Sequence, residues 1–154
     1  MPPWLVRRYF SRAAMARIEH AISESEGLHN GEIRFAVEAT LDLPALLQKQ
    51  NARQRAVEVF SQLRVWDTEH NSGVLIYLLL ADRDVEIVAD RGIDKRVGSA
   101  EWERICLQME TAFQANRFEE GVLAGIREIT ALLVKHFPVK TDNPNELPDR
   151  PIVL

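Results

Sequence analysis

The residue types that could do chemistry in this sequence gather around one apolar run, 73–81. His29, Asn30 and Glu32 stand ahead of one expected strand, and Asp67, His70 and Asn71 ahead of the next. Asp90, Arg91 and Asp94 follow a third. An imidazole titrates near neutral pH, so His29 and His70 are candidates for general acid or base, or for ligand contacts shared with Glu32, Asn71 and Arg91. Asp67, Asp90 and Asp94 offer carboxylate oxygens, the donors that hard cations take, so the cofactor they would hold is Ca²⁺ or Mg²⁺. Glycines at 31, 73 and 92 lie among them, where a missing side chain lets backbone approach a ligand closely.

Each of these residues also has a plainer reading. His29 follows a helix stop and could serve that helix end. Asp67 and Thr68 suit a local turn, His70 an exposed loop, and Asp90 and Asp94 ion pairs with Arg91 or Arg96. A second polar group, Asp42 with Asp82, Arg83 and Asp84, falls at the opposite end of the strands, where the last three read first as turn residues. The chain holds no GxSxG elbow, P-loop, GxGxxG, HExxH or CxxC, and the acid spacing matches no EF-hand loop.

Periodicity supplies the elements that must position these groups. An amphipathic helix is expected from within the first ten residues to about Glu26, with Ala14, Ile18, Ala21 and Ile22 inward and Gly27 ending it. Residues 32–39 alternate as a strand with one more polar face. A second helix has Pro44 in its first turn and Ala56, Val59, Phe60 and Leu63 as its stripe. The run 73–81 is apolar without alternation, so it belongs in the middle of a sheet. Asp82, Arg83 and Asp84 leave no room for a crossover, so 85–89 must return antiparallel. Helices over about 101–116 and 118–136 follow. The expected fold is therefore a three-layer α/β/α sandwich around a small mixed sheet, in the order αβαββαα. It forms one domain over 1–140, with an irregular, proline-punctuated tail over 141–154.

Composition narrows the partners. The net charge of −4 argues against a nucleic-acid module. No segment reaches the length of a membrane span, and no apolar signal core follows the early arginines. The single Cys106 allows no intrachain disulfide and sits among Trp102, Ile105 and Met109 as a buried thiol. Cytoplasmic placement is the expectation. Arg7, Arg8, Arg12 and Arg17, with Trp4, Leu5, Tyr9 and Phe10, give the first helix a face that would suit anionic lipid or a membrane-associated complex; the alternative is that the arginines simply face water.

The segments GEIRFAVE (31–38), AVEVFSQLRVWDTEHNSGVLIYLLLADRDVEIVADRGI (56–93), WERIC (102–106) and FEEGVLAGIREI (118–129) occur in an order that resembles the TPM domain family. That family includes thylakoid-lumen and photosystem II repair proteins and a nematode receptor modulator. The resemblance spans roughly 31–137 and is nearest the small soluble bacterial branch. It implies an α/β/α sandwich, and, from plant and other members, acid phosphatase activity or divalent-metal binding. Where secreted relatives have Asp-Asn-Gly before the central strand, this chain reads Asn71-Ser72-Gly73. Where they have a Gly-Tyr-Gly-Leu-Glu-like segment after the third strand, it reads Ala89-Asp90-Arg91-Gly92-Ile93-Asp94. The function expected is a noncatalytic or weakly catalytic binding or assembly module with a protein or membrane-associated partner. The alternative is a metal-assisted phosphatase acting on phosphomonoesters through a cation at Asp67, Asp90 and Asp94.

Overall fold

Ser11 decides where the first long helix begins. A 3-10 turn (Pro3–Leu5) and a four-residue helix α1 (Val6–Tyr9) come first, and the chain then breaks at Phe10. Ser11 is extended and accepts the Ala14 N–H at 3.0 Å, capping α2 (Arg12–Glu26). The continuous helix expected from the sequence is thus two helices, because a serine cap competes with helix continuation. In the computed structural model the described residues are 3–41, 44, 49–139 and 147–154.

The break turns Val6 and Phe10 inward, both fully buried, with the Phe10 ring against Phe35 and Phe118. Phe10 is therefore core rather than part of a lipid-facing surface, while Trp4 and Tyr9 stay exposed. Arg17 is held by a bidentate pair with Glu119 at 2.6 and 2.7 Å. Among the described residues no helix is long and apolar enough to cross a membrane.

Four strands form the sheet: β1 (Glu32–Glu38), β2 (Gly73–Leu79), β3 (Asp84–Ala89) and β4 (Ile152–Val153), in the spatial order β3-β2-β1-β4. β1 and β2 are parallel with Glu32 opposite Gly73, and β3 returns antiparallel with Ala89 opposite Val74. The return is made by a 3-10 turn in which Arg83 N–H donates to Leu80 O, with Arg83 itself left-handed at φ 50°. β2 is buried along its whole length, as its unbroken apolar run requires. Residues 152–153 belong to the tail read as irregular, yet they add a parallel edge strand to β1. Two apolar residues are too short a signal to read as a strand from sequence.

The helices cover both faces. Ile33, Phe35 and Val37 with Val74, Ile76 and Leu78 pack against α2, α5 (Ser99–Gln114) and α6 (Phe118–His136). The other face carries Ala36, Leu75, Tyr77 and Leu79 beneath α3 (Ala52–Gln62) and Leu147 of the tail. Asn51 and Gln54 close a capping box at the start of α3. The sequence places Pro44 in the first turn of this helix, but the Asn51 cap starts it only at Ala52; residues 42–43 and 45–48 lie outside the described residues, as do 140–146 of the tail.

One helix has no counterpart in the sequence reading. Asp90, which follows β3 and offers a carboxylate by sequence, is the cap of α4 (Arg91–Val97). Its Oδ1 accepts the Arg91 N–H at 2.8 Å. With only Ile93 buried, this seven-residue helix shows too little apolar periodicity to be recognised. Gly92 permits the close packing of its first turn: a Cβ there would lie 2.5 Å from Asn71 O and 2.7 Å from His70 O.

Candidate functional site

The end of the sheet where β1 and β2 start and β3 finishes is the end at which the sequence gathered its ionisable groups. A cavity of about 330 Å³ opens there, lined by Asn30, His70, Ser72, Gly92, Arg96 and His136 among others. His70 and Asn30 are thus brought together as expected. Arg96 and His136 join them from α4 and the end of α6, where neither stood out in sequence. Arg96 donates to His136 O at 3.0 Å and lies over the Phe137 ring.

His29 takes a different role. It is fully buried; Nδ1 accepts the Gly31 N–H at 3.0 Å, which leaves Nε2 to donate to Ser25 Oγ at 2.9 Å. Burial pushes its pKa down to about 4, so the ring stays neutral and structural, tying the end of α2 to β1. Asn71 adopts a left-handed turn at φ 51°. Arg91 is exposed on α4.

The three aspartates proposed for a cation do not converge among the described residues. Asp67 is exposed and pairs with Arg64 at 3.4 Å. Asp90 caps α4, and Asp94 lies exposed on α4, lining a separate groove. Backbone turns and a helix cap separate three acids that sequence order had placed together.

A different carboxylate group does converge. Glu26, Glu32 and Asp149 offer ligand atoms that all lie within 4.8 Å of one another. Adjoining elements supply two of them, the end of α2 and the first residue of β1, and the tail supplies the third. β4 runs parallel to β1 with Ile152 opposite Ala36, so stepping back three residues sets Asp149 beside residue 33. Glu32 N–H donates to Ser72 O, which leaves the Ile33 N–H on the side away from β2, and Glu26 Oε2 accepts it at 2.7 Å. Glu32, a ligand-binding candidate from the sequence, joins this carboxylate group, with partners the sequence did not indicate. Glu26 reads as the solvent face of a helix end, and Asp149 as part of a proline-rich tail.

The electrostatics are those of a crowded, dry site. Glu26 is 8% and Glu32 2% exposed. Burial, then hydrogen bonds with Asp149 and Glu32, pushes the Glu26 pKa up to about 11, so it keeps its proton at neutral pH and donates to its neighbours. Arg34, 4% exposed, has its pKa lowered by burial against the opposing pull of Glu26 and Asp149, and its Nε has no hydrogen-bond partner. Fully ionised, three carboxylates and one guanidinium carry a charge of −2. The three carboxylates are an all-oxygen donor set that suits a hard divalent cation, which would have to displace the proton on Glu26.

The rest of this face is settled by its own pairs. Arg55 holds Glu38 in a bidentate pair at 2.8 and 3.0 Å, and Tyr77 donates to the same carboxylate at 2.7 Å. The Cys106 thiol is pushed up to about 12, first by burial, which removes it as a nucleophile at neutral pH.

Comparison with known proteins agrees with this architecture. The family model of the TPM domain matches residues 7–132. The BA42 protein from the psychrophilic bacterium Bizionia argentinensis is 29% identical, superimposes with a TM-score of 0.82, and covers 94% of this chain and 95% of its own. The N-terminal domain of a protein from P. gingivalis shares the fold at a TM-score of 0.68 and 15% identity, over 85% of this chain and 82% of that one. No curated protein matches. The chain belongs to the TPM domain family.

Proposed function

We propose that this TPM domain is a noncatalytic, divalent-cation-binding module whose cation is held by Glu26, Glu32 and Asp149. The observation that carries this is the convergence of three carboxyl groups, from α2, β1 and the tail, within 4.8 Å of one another. Bringing like charges together inside a protein costs stability unless a proton or a cation is shared among them. Glu26 holds that proton in the metal-free protein, and Ca²⁺ or Mg²⁺ supplies the stronger neutralisation. The ion would also clasp the tail onto β1, so cation binding and tail docking are one event. The alternative, phosphomonoester hydrolysis through a cation at Asp67, Asp90 and Asp94, lacks a converging ligand set among the described residues.

The test is thermal unfolding with added Ca²⁺ or Mg²⁺. At 100 times the dissociation constant a ligand of the folded state adds about 2.7 kcal/mol, roughly 5–10 °C for a domain of this size. The increase should grow with pH, because binding releases the Glu26 proton, and Asp149→Asn should remove it. A melting temperature indifferent to both ions, or an increase retained in Asp149→Asn, overturns the assignment.

A further inference from the structure

β3 closes one side of the described sheet, and a groove of about 630 Å³ lies outside it. It runs between β3 and α5. Asp84, Glu86, Asp94, Glu103 and Glu110 line it, against a single cation, Arg53. Fully ionised, those side chains sum to −4, equal to the formal net charge of the whole chain. Crowding is visible in the groups themselves: burial and the neighbouring Asp84 push Glu110 up to about 7, and Glu86 is raised by burial and then by Asp84.

Two further observations bear on what enters. The outward backbone of β3 is covered by side chains rather than by a strand. Arg53 donates to Ile87 O at 2.7 Å, and the Val85 N–H lies near enough to the Glu110 carboxylate to oppose the rise in its pKa. Long side chains on an edge can swing aside and hand these groups to an incoming chain. Trp102, on the groove wall and 6% exposed, has an indole N–H with no partner, a donor that an entering carbonyl would satisfy. Leu107 on α5 stands 66% exposed at the same wall and offers apolar contact.

We propose that this groove takes an extended segment of a partner protein with basic and apolar residues in alternation, added as a strand along β3. Its carbonyls take the Val85 N–H and engage Trp102, its N–H groups take Ile87 O from Arg53, and its lysines or arginines meet the groove's carboxylates. Backbone pairing supplies the docking and charge supplies the choice of partner. This surface is separate from the Glu26–Glu32–Asp149 group and does not depend on cation binding there.

The experiment is an amide-shift NMR titration of the full chain with an acetylated Lys-Val-Lys-Val-Lys amide. Shifts are expected at the amides of Val85, Ile87 and Ala89 and at the Trp102 indole. The corresponding Glu-Val peptide should produce none. A Glu86→Lys, Glu103→Lys double variant should weaken binding on the order of 100-fold, since like charges then face each other. Trp102→Phe keeps an aromatic six-membered ring and removes the indole N–H, so about a 3- to 10-fold loss is expected while the free protein stays folded. Equal binding of the acidic peptide, or undiminished affinity in these variants, overturns the proposal. So does spermine producing the same shifts at equal affinity, which would make the groove an amine site.

Discussion

Replacing Glu26 by glutamine should stabilise this protein at neutral pH. In the folded state Glu26 keeps its proton well above pH 7, whereas an unfolded chain ionises it near 4.5. The sign follows from linkage: a carboxyl pKa raised on folding leaves stability fully present below 4.5 and removes it progressively as the pH climbs towards the folded value. Each pH unit in that window is worth about 1.4 kcal/mol, so by pH 7 the deficit reaches about 3.4 kcal/mol. That figure needs only a folded pKa above 7, and the side chain's 8% exposure leaves little screening. Glutamine has the shape of the protonated acid. Its Oε1 can still accept the Ile33 N–H, and its amide can donate where the acid proton did. Urea unfolding in the presence of chelator, comparing wild type with Glu26→Gln at pH 4.5 and 7.5, should show near equality at the lower pH. At the higher pH the variant should gain up to about 4 kcal/mol, roughly 8–16 °C in Tm. A variant that is weaker by the same margin at both values would refute the reasoning, because Glu26 would then be ionised and favourably held.

Other consequences are as direct. His29 is buried neutral, so stability present above pH 6.5 is lost as the pH falls towards 4, by up to about 3 kcal/mol; the difference in unfolding free energy between wild type and His29→Gln isolates that slope from the opposing one of Glu26. Gly73→Ala would place a Cβ 2.0 Å from Val65 O at the start of β2, and chemical denaturation should register a loss of about 3 kcal/mol or more. Ser11→Ala removes the α2 cap and should cost about 1 kcal/mol, with thermal unfolding as the readout.

Most of the architecture was legible in the sequence, for physical reasons that can be named. The unbroken run 73–81 could only be a strand covered on both faces, and the three polar residues after it could only allow a hairpin. Helix α6 matches its expected span, 118–136, because phenylalanine opens its stripe and proline follows its end. What escaped were short or competing signals: a serine cap that splits the first helix, a seven-residue α4, and a two-residue β4. The site was half legible. His70, Asn30 and Glu32 were placed at the right end of the sheet, since strand order follows from connectivity. Asp67, Asp90 and Asp94 were grouped by the same argument, yet a surface ion pair, a helix cap and a helix face keep them apart.

The sequence alone thus determined the sandwich, its central strand and the end where polar groups meet, because hydrophobic period and connection length are local properties of the chain. Only the tertiary structure decided which carboxylates share a site. Asp149 reaches Glu26 and Glu32 because a tail more than a hundred residues away pairs with β1 in a particular register. Ionisable side chains carry no periodic signal of their partners. Their company is set by long-range packing, which becomes visible only when the strands and the tail are in place.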